Sequence, residues 1–420
     1  MSPAPLSRRA CLGALSLAAV SRAAPAAAWS FCSDDPGAPE AAAFTGTPLG
    51  GVSPRVTWGV AMASPALEDA AFIRAVSAER PRVVAIANAL KFGGGPRKAD
   101  EPEPPGRWKE CDDIVALAMS LGADVRGDCL AWNDWLPDWV KTLAQDRPAG
   151  WRDTLRDAFD THFKTVFAHF DDLRHSYGTQ PMRWCGVINE PLDPWSATGG
   201  FAGYRKGPWL DAFGIEADGV PGYIHHAFML AERYAPRGTT FFLNETYCED
   251  DRFSPVVRPA ILRLVDSLQK AGRNIGAVGL ECHLMPQSMR DPRNPDWRSY
   301  VAFLSDLAKR GVAIYLTELD VNDCSTRGLA ERDALVEHYT RTFVTAALEV
   351  PAVTMITNWG FSDKYSWWRA NGSPSAVYPS MEGWANCIAR PPCPRPDIYD
   401  QSLHPKPARD GLLRALRTRV

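Results

Sequence analysis

The sequence predicts an α/β fold, a single-domain (β/α)₈ TIM barrel over residues 55–420, and three observations carry that prediction. Eight short β-branched runs, at 57–62, 82–87, 124–129, 183–188, 239–243, 275–280, 312–317 and 353–358, alternate with amphipathic stretches such as 111–121, 153–177, 255–271, 297–310 and 329–349. Strand then helix, repeated eight times, is what a closed parallel barrel requires. An open doubly wound sheet shares the alternation, but it usually carries a glycine-rich phosphate turn after its first strand. Here Gly93-Gly94-Gly95 follows the second strand without that pattern. Finally, Asn88, Asn133, Glu190, Asn244, His283, Glu318 and Trp359 all fall just past strand ends. In a barrel those positions share one face, which is where barrel enzymes place their chemistry.

Residues 1–28 have the pattern of a twin-arginine export signal. Ser7-Arg8-Arg9-Ala10-Cys11-Leu12 precedes an Ala- and Leu-rich stretch to Val20, and Ala26-Ala27-Ala28 offers small residues for cleavage. An ordinary secretory signal is the alternative, and either one exports the chain to the periplasm or the extracellular space. The apolar stretch is too short to stay behind as a membrane anchor. Residues 29–54, rich in Ala, Pro and Gly, form a flexible lead-in to the first strand. Within 255–271, Ile261, Leu262, Leu264, Val265 and Leu268 have the spacing of a buried helix face. A last helix, around 412–416, closes the barrel.

Composition narrows the class of partner. Hydrophobic residues at 45% and charged residues at 23% are a globular balance. A net charge of −3 argues against nucleic acid, whose phosphates need a basic footprint. Signal removal takes Arg8, Arg9 and Arg22 and no acid, so the mature chain is more acidic still. Fifteen tryptophans exceed what a core needs and suit the C–H faces of sugar rings, although most are expected to be buried. Cys11 leaves with the signal, and the remaining cysteines are odd in number, so at least one thiol is unpaired within the chain. Cys387 and Cys393 flank a proline-rich loop and are the first candidate disulfide. No Cys/His spacing looks like a zinc site, and nothing calls for a metal or an organic cofactor. The chain is expected to act as a monomer.

Glu190 closes the run RWCGVINE and Glu318 sits in VAIYLTELD, each after an apolar strand, the fourth and the seventh. Glycoside hydrolysis with retention needs two carboxyl groups about 5–5.5 Å apart, one as acid/base and one as nucleophile. Facing strand ends across a barrel can supply such a pair. A single glutamate at a strand end is more often a salt-bridge partner or a cap. Two such sites, each beside its own polar neighbour, shift the balance toward catalysis.

Several blocks resemble glycoside hydrolase family 10, the endo-1,4-β-xylanase family, over nearly the whole mature length. VRGDCLAWNDWLPDWV resembles the family's third-strand block, INEP its acid/base block, FFLNETY the fifth-strand block and VGLECHL the sixth. LTELDV resembles the nucleophile block, NWGFSDKYSWW the eighth, and DQSLHPKPA the last loop. The resemblance implies that Glu190 is the acid/base and Glu318 the nucleophile. It also implies that Asn189 bonds the sugar 2-hydroxyl, that His283 holds Glu318, and that Asp320 orients His283. Trp359, Trp367 and Trp132 would line the sugar rings, and Asn88 and Lys91, in NALKF, match two sugar-contacting positions.

Some positions depart from the family's pattern. Asp128 and Asn133 stand where two histidines are usual, Glu281 replaces a glutamine, Ala87 a glutamate and Gly186 an aspartate. Asp128, Asn133 and Glu281 are expected beside the sugar at the cleavage point. There Asp128 and Glu281 would add negative charge next to the catalytic pair and raise its pKa values. The expected activity is a secreted retaining endo-1,4-β-xylanase acting on xylan or xylo-oligosaccharides. The same machinery acting on another β-linked glycan, or an inactive carbohydrate-binding barrel, remain as alternatives.

Overall fold

The computed structural model describes residues 44–94, 105–323, 328–369 and 393–418. The proposed signal, most of the lead-in and Cys387 lie outside these residues. Eight strands form the barrel: β1 (Thr57–Met62), β2 (Val83–Ile86), β3 (Asp124–Gly127), β4 (Met182–Asn189), β5 (Thr240–Glu245), β6 (Ala277–Leu280), β7 (Ala313–Val321) and β8 (Val353–Asn358). Each pairs in parallel with the next, and β8 closes the ring by pairing with both β7 and β1, with Thr57 opposite Met355. Helices lie between consecutive strands, including Lys109–Leu121, Trp151–Tyr177, Ser254–Lys270, Arg298–Lys309 and Leu329–Ala347. Among the described residues no helix is long and apolar enough to cross a membrane.

Local chemistry sets the boundaries. The strands are nearly continuous apolar runs because both faces of a barrel sheet are covered; all four residues of β2 and of β6 are buried. The helix at Ser254–Lys270 buries Ile261, Leu264, Val265 and Leu268, as its spacing predicts. Pro255 occupies its first turn, where a missing N–H costs nothing. Helix Lys109–Leu121 ends at Gly122, whose φ of 65° makes the left-handed C-terminal cap.

Three strands run further than their apolar patterns suggest. Asn189, Asn244, Glu318 and Asp320 therefore lie inside β4, β5 and β7, not just past their ends. Pairing is the reason. Asn189 sits opposite Asn244, and a short segment at His283–Leu284, beyond β6, pairs with Asp320 and Val321 and keeps β7 extended.

The barrel interior is layered. Its lower end is filled by Val83, Phe242, Ala277, Tyr315 and Met355, with the Phe242 and Tyr315 rings edge to face at 5.5 Å. Above them is a polar layer. Arg126, fully buried, donates to Asp128, to the Thr357 hydroxyl (3.0 Å) and to the Thr317 carbonyl (2.9 Å). The catalytic candidates sit on top of this layer. Five cysteines, Cys111, Cys129, Cys185, Cys248 and Cys282, are buried free thiols, and Cys393 is disulfide-bonded.

Candidate active site

Backbone strain concentrates at the C-terminal mouth of the barrel. Non-glycine residues in the left-handed region include Trp135 after β3, Glu190 after β4, Tyr247 after β5 and Cys282 after β6, with φ of 53°, 45°, 59° and 62°. Such conformations cost of order 1–3 kcal/mol each and persist where the surroundings over-determine them. Glu190 is held this way by Asn244, whose carbonyl accepts its N–H at 3.0 Å, and by Arg205, which donates to its carbonyl at 3.0 Å.

Glu190 and Glu318 are joined by two amides. Asn244 Nδ2 donates to Glu318 Oε1 at 2.8 Å and to Asn189 Oδ1 at 2.9 Å, and Asn189 Nδ2 reaches Glu190 Oε1 at 3.4 Å. Thr317 fixes the orientation of the Asn244 amide by donating to its Oδ1 at 2.6 Å. On the other side of Glu318, His283 Nε2 lies 3.3 Å from Oε2, while His283 Nδ1 lies 2.9 Å from Asp320 Oδ1. Trp367 closes the chain by donating Nε1 to Asp320 Oδ2 at 2.7 Å.

The charges follow from these contacts. Burial opposes a proton on His283, but Asp320 and Glu318 outweigh it and hold the imidazole protonated well above its usual range. Burial raises the pKa of Glu190, and the charges of Asp134 and Glu318 add to it. Arg205, with Nη2 on Glu190 Oε2 at 2.6 Å, and His283 pull the other way. Burial, with Glu190 and Glu318 nearby, also pushes Glu281 well above the usual carboxylate range. Glu245, buried beside the same cluster, is pushed up to about 8, although the backbone N–H groups of Leu192 and Thr246 each bond it at 3.0 Å.

The sugar-lining candidates are distributed unevenly. Lys91 Nζ donates to Asn88 Oδ1 at 2.8 Å and stands over the rings of Trp132 and Trp135, 5.0 and 4.5 Å from their centroids. Trp359 packs against a small cluster of buried alanines, Ala61, Ala85 and Ala87. Trp367 lies against His283 with centroids 5.0 Å apart. Asn133 is half-buried, with Nδ2 3.4 Å from the Tyr223 hydroxyl.

Two of the departing positions are deeply buried. Asp128 is 3% exposed and bonded to Arg126 Nε at 2.6 Å. Burial and the charge of Glu318 still push its pKa up to about 6, against the pull of Arg126. The reason for its position is steric, because a Cβ on Gly186 would come within 2.4 Å of Asp128 Oδ1. The carboxylate thus fills the space that a side chain at 186 would take, and the departures at 128 and 186 are one exchange. Glu281, also 3% exposed, faces the catalytic cluster, with Oε1 3.5 Å from Asn244 Nδ2 and Oε2 3.9 Å from His283 Nε2.

Arg205 and Asp134 were not among the residues singled out by sequence, and Asn244 was seen only as a polar strand-end residue. Arg205 lies 15 positions beyond Glu190. It reaches Glu190 because a hairpin of Leu192–Thr198 and Phe201–Tyr204 folds the chain back. The alternation in that stretch and its Gly199-Gly200 pair were the available signal.

Comparison with known proteins decides the family. The sequence profile of Glycosyl hydrolase family 10 matches residues 52–415. The chain belongs to this family. It is 29% identical over 350 residues to the exoglucanase XynX of Acetivibrio thermocellus, covering 81% of this chain and 29% of that protein. It is 28% identical over 321 residues to endo-1,4-beta-xylanase A of Thermoanaerobacterium saccharolyticum, covering 75% of this chain and 25% of that protein. The match therefore spans less than a third of either relative. Xylanase 10B from Thermotoga petrophila, solved with xylobiose, shares the fold with a TM-score of 0.69 and 20% identity, covering 89% of this chain and 98% of that one.

Proposed function

We propose that this family 10 member is a retaining endo-β-1,4-glycanase acting on xylan or xylo-oligosaccharides. The observation that carries the reading is the Glu190–Asn189–Asn244–Glu318 relay, which joins the two carboxyl groups through two side-chain amides. Asn244 donates to one Glu318 oxygen at 2.8 Å and protonated His283 lies 3.3 Å from the other, so the carboxyl group is held and aimed. Glu190 is part-buried, and burial with the charges of Asp134 and Glu318 raises its pKa, as a proton donor requires.

In the first step a Glu318 oxygen attacks the anomeric carbon. The bond to the leaving oxygen breaks, and that oxygen takes the Glu190 proton. A glycosyl ester on Glu318 carries no charge, so one of the charges that raised the Glu190 pKa disappears. Glu190 then takes a proton from water, the oxygen attacks the same carbon, and Glu318 leaves. Two displacements at one carbon retain its configuration. Asn189 would bond the sugar 2-hydroxyl, and Trp132, Trp359 and Trp367 would receive the rings.

The alternative of another β-linked glycan draws on Ala87 in the alanine cluster beside Trp359 and on the Lys91–Trp132–Trp135 grouping, and on one relative being named an exoglucanase. The twin-arginine pattern of residues 1–28 supports export to the periplasm or beyond the cell, and the mature chain is proposed to work as a monomer without an anchor. The test is product analysis on xylan and a glycan panel, with the anomer followed by NMR, for the parent and Glu318→Ala. We expect β-configured xylo-oligosaccharides from the parent and no turnover from the folded variant. An inverted product, or substantial turnover by the variant, overturns the mechanism.

A further inference from the structure

The hairpin that follows Glu190 has a role beyond delivering Arg205. Its strands, Leu192–Thr198 and Phe201–Tyr204, are joined by Gly199-Gly200, both at positive φ (57° and 83°), the geometry of a tight two-residue hairpin turn. The stem is anchored at both ends. Leu192 N–H donates to buried Glu245 at 3.0 Å, Arg205 N–H donates to the Pro191 carbonyl at 2.8 Å, and Arg263 stacks over Phe201 at 4.2 Å.

On this rigid support Trp195 is 54% exposed. The indole is braced by Phe253 and Tyr247, with ring centroids 5.0 and 5.6 Å away at interplanar angles of 61° and 86°. Tyr247 and Phe253 pack on each other at 5.1 Å. Edge-to-face contacts secure the ring while leaving surface open. The trio stands beyond β4 and β5, on the side of the cleft that carries Glu190. Asn88, Lys91 and Trp132 follow β2 and β3.

We propose that Trp195, braced by Tyr247 and Phe253, is a stacking platform for sugar residues on the leaving-group side of the cleavage point. The proposal rests on the glycanase reading above. Glu190 hands its proton to the leaving oxygen, so the chain attached to that oxygen continues toward the loop Glu190 begins. A tryptophan already fixed by its neighbours loses little side-chain freedom on binding, and its open surface matches the C–H face of a β-linked sugar. The same hairpin ends in Arg205, so occupancy of the platform would be sensed by the group that holds Glu190.

The experiment compares two substrates. Xylohexaose can place sugars on the leaving side, whereas an aryl β-xylobioside has a nitrophenol there. The ratio of their kcat/KM values is expected to fall about tenfold in Trp195→Ala, equivalent to roughly 1.4 kcal/mol of leaving-side binding, and to recover in Trp195→Phe. Cleavage sites on xylohexaose should move so that fewer sugars lie on the leaving side. A ratio unchanged in Trp195→Ala, or both substrates slowed equally, overturns the platform while the glycanase reading stands. A parent chain that cleaves neither substrate overturns the glycanase reading and the platform with it.

Discussion

Replacing Arg205 by methionine should move the working pH of the enzyme upward. Arg205 Nη2 lies 2.6 Å from Glu190 Oε2, and the two side chains are only 18% and 15% exposed, so water screens the pair weakly. An opposite charge at that range lowers a carboxyl pKa by about 1–3 units. Arg205 also neutralises Asp134, 3.1 Å from its Nη1, and a freed Asp134 would repel a charge on Glu190 further. Both effects have one sign: without Arg205 the anion is less stable, and the pKa of Glu190 rises. The first chemical step needs Glu190 protonated, so the alkaline limb of the kcat/KM profile on xylohexaose should shift up by about 1–3 units. Lysine at the same position keeps the charge but loses the forked contact, and should shift the limb less. An alkaline limb that stays in place, or moves to lower pH, would refute the assignment of Glu190 as the acid that Arg205 restrains.

Two further changes probe the departures from the family pattern. Glu281→Gln replaces an acid that burial and two neighbouring glutamates keep protonated, so one neutral donor replaces another. With neutral hydrogen bonds worth about 1 kcal/mol, kcat/KM should stay within about tenfold, and a loss beyond a hundredfold in steady-state assays would show that Glu281 works as an anion. Gly186→Asp forces a Cβ to within 2.4 Å of Asp128 Oδ1 and should cost about 1–3 kcal/mol by overpacking, before any charge repulsion. In an Asp128→Ala background, where the carboxylate that the new Cβ meets is gone, the same change should cost less, and purely additive costs in chemical denaturation would contradict a shared space.

The barrel was legible because its signal is periodic. Strand runs bounded by polar residues recur at every turn of the fold, and all eight were located to within a few residues. Glu190 and Glu318 were legible because each follows an apolar run. Depth along the barrel axis was not. Residues 128 and 133 both follow an apolar strand, yet one is sealed against Arg126 and the other reaches the Tyr223 hydroxyl. A period of two assigns a face and says nothing of the layer. Arg205 was hidden for another reason, since its partner is distant in sequence and only the hairpin's closure brings them together. Asn244 appeared as one more polar residue, because its importance lies in its side chain touching Asn189, Glu318, Thr317 and Glu281 at once, a property of packing that no run of letters displays.

The five free thiols tie the fold to the order in which folding and oxidation occur. Burial pushes every one of their pKa values up, so these five positions present almost no thiolate, the form that attacks disulfides. In the unfolded chain the same sulfurs return to ordinary acidity and can react with one another and with Cys393. A chain that meets an oxidant after folding is chemically quiet at these positions, while one that meets it before folding can be locked into wrong pairings. For this barrel, the packed interior is itself the protecting group.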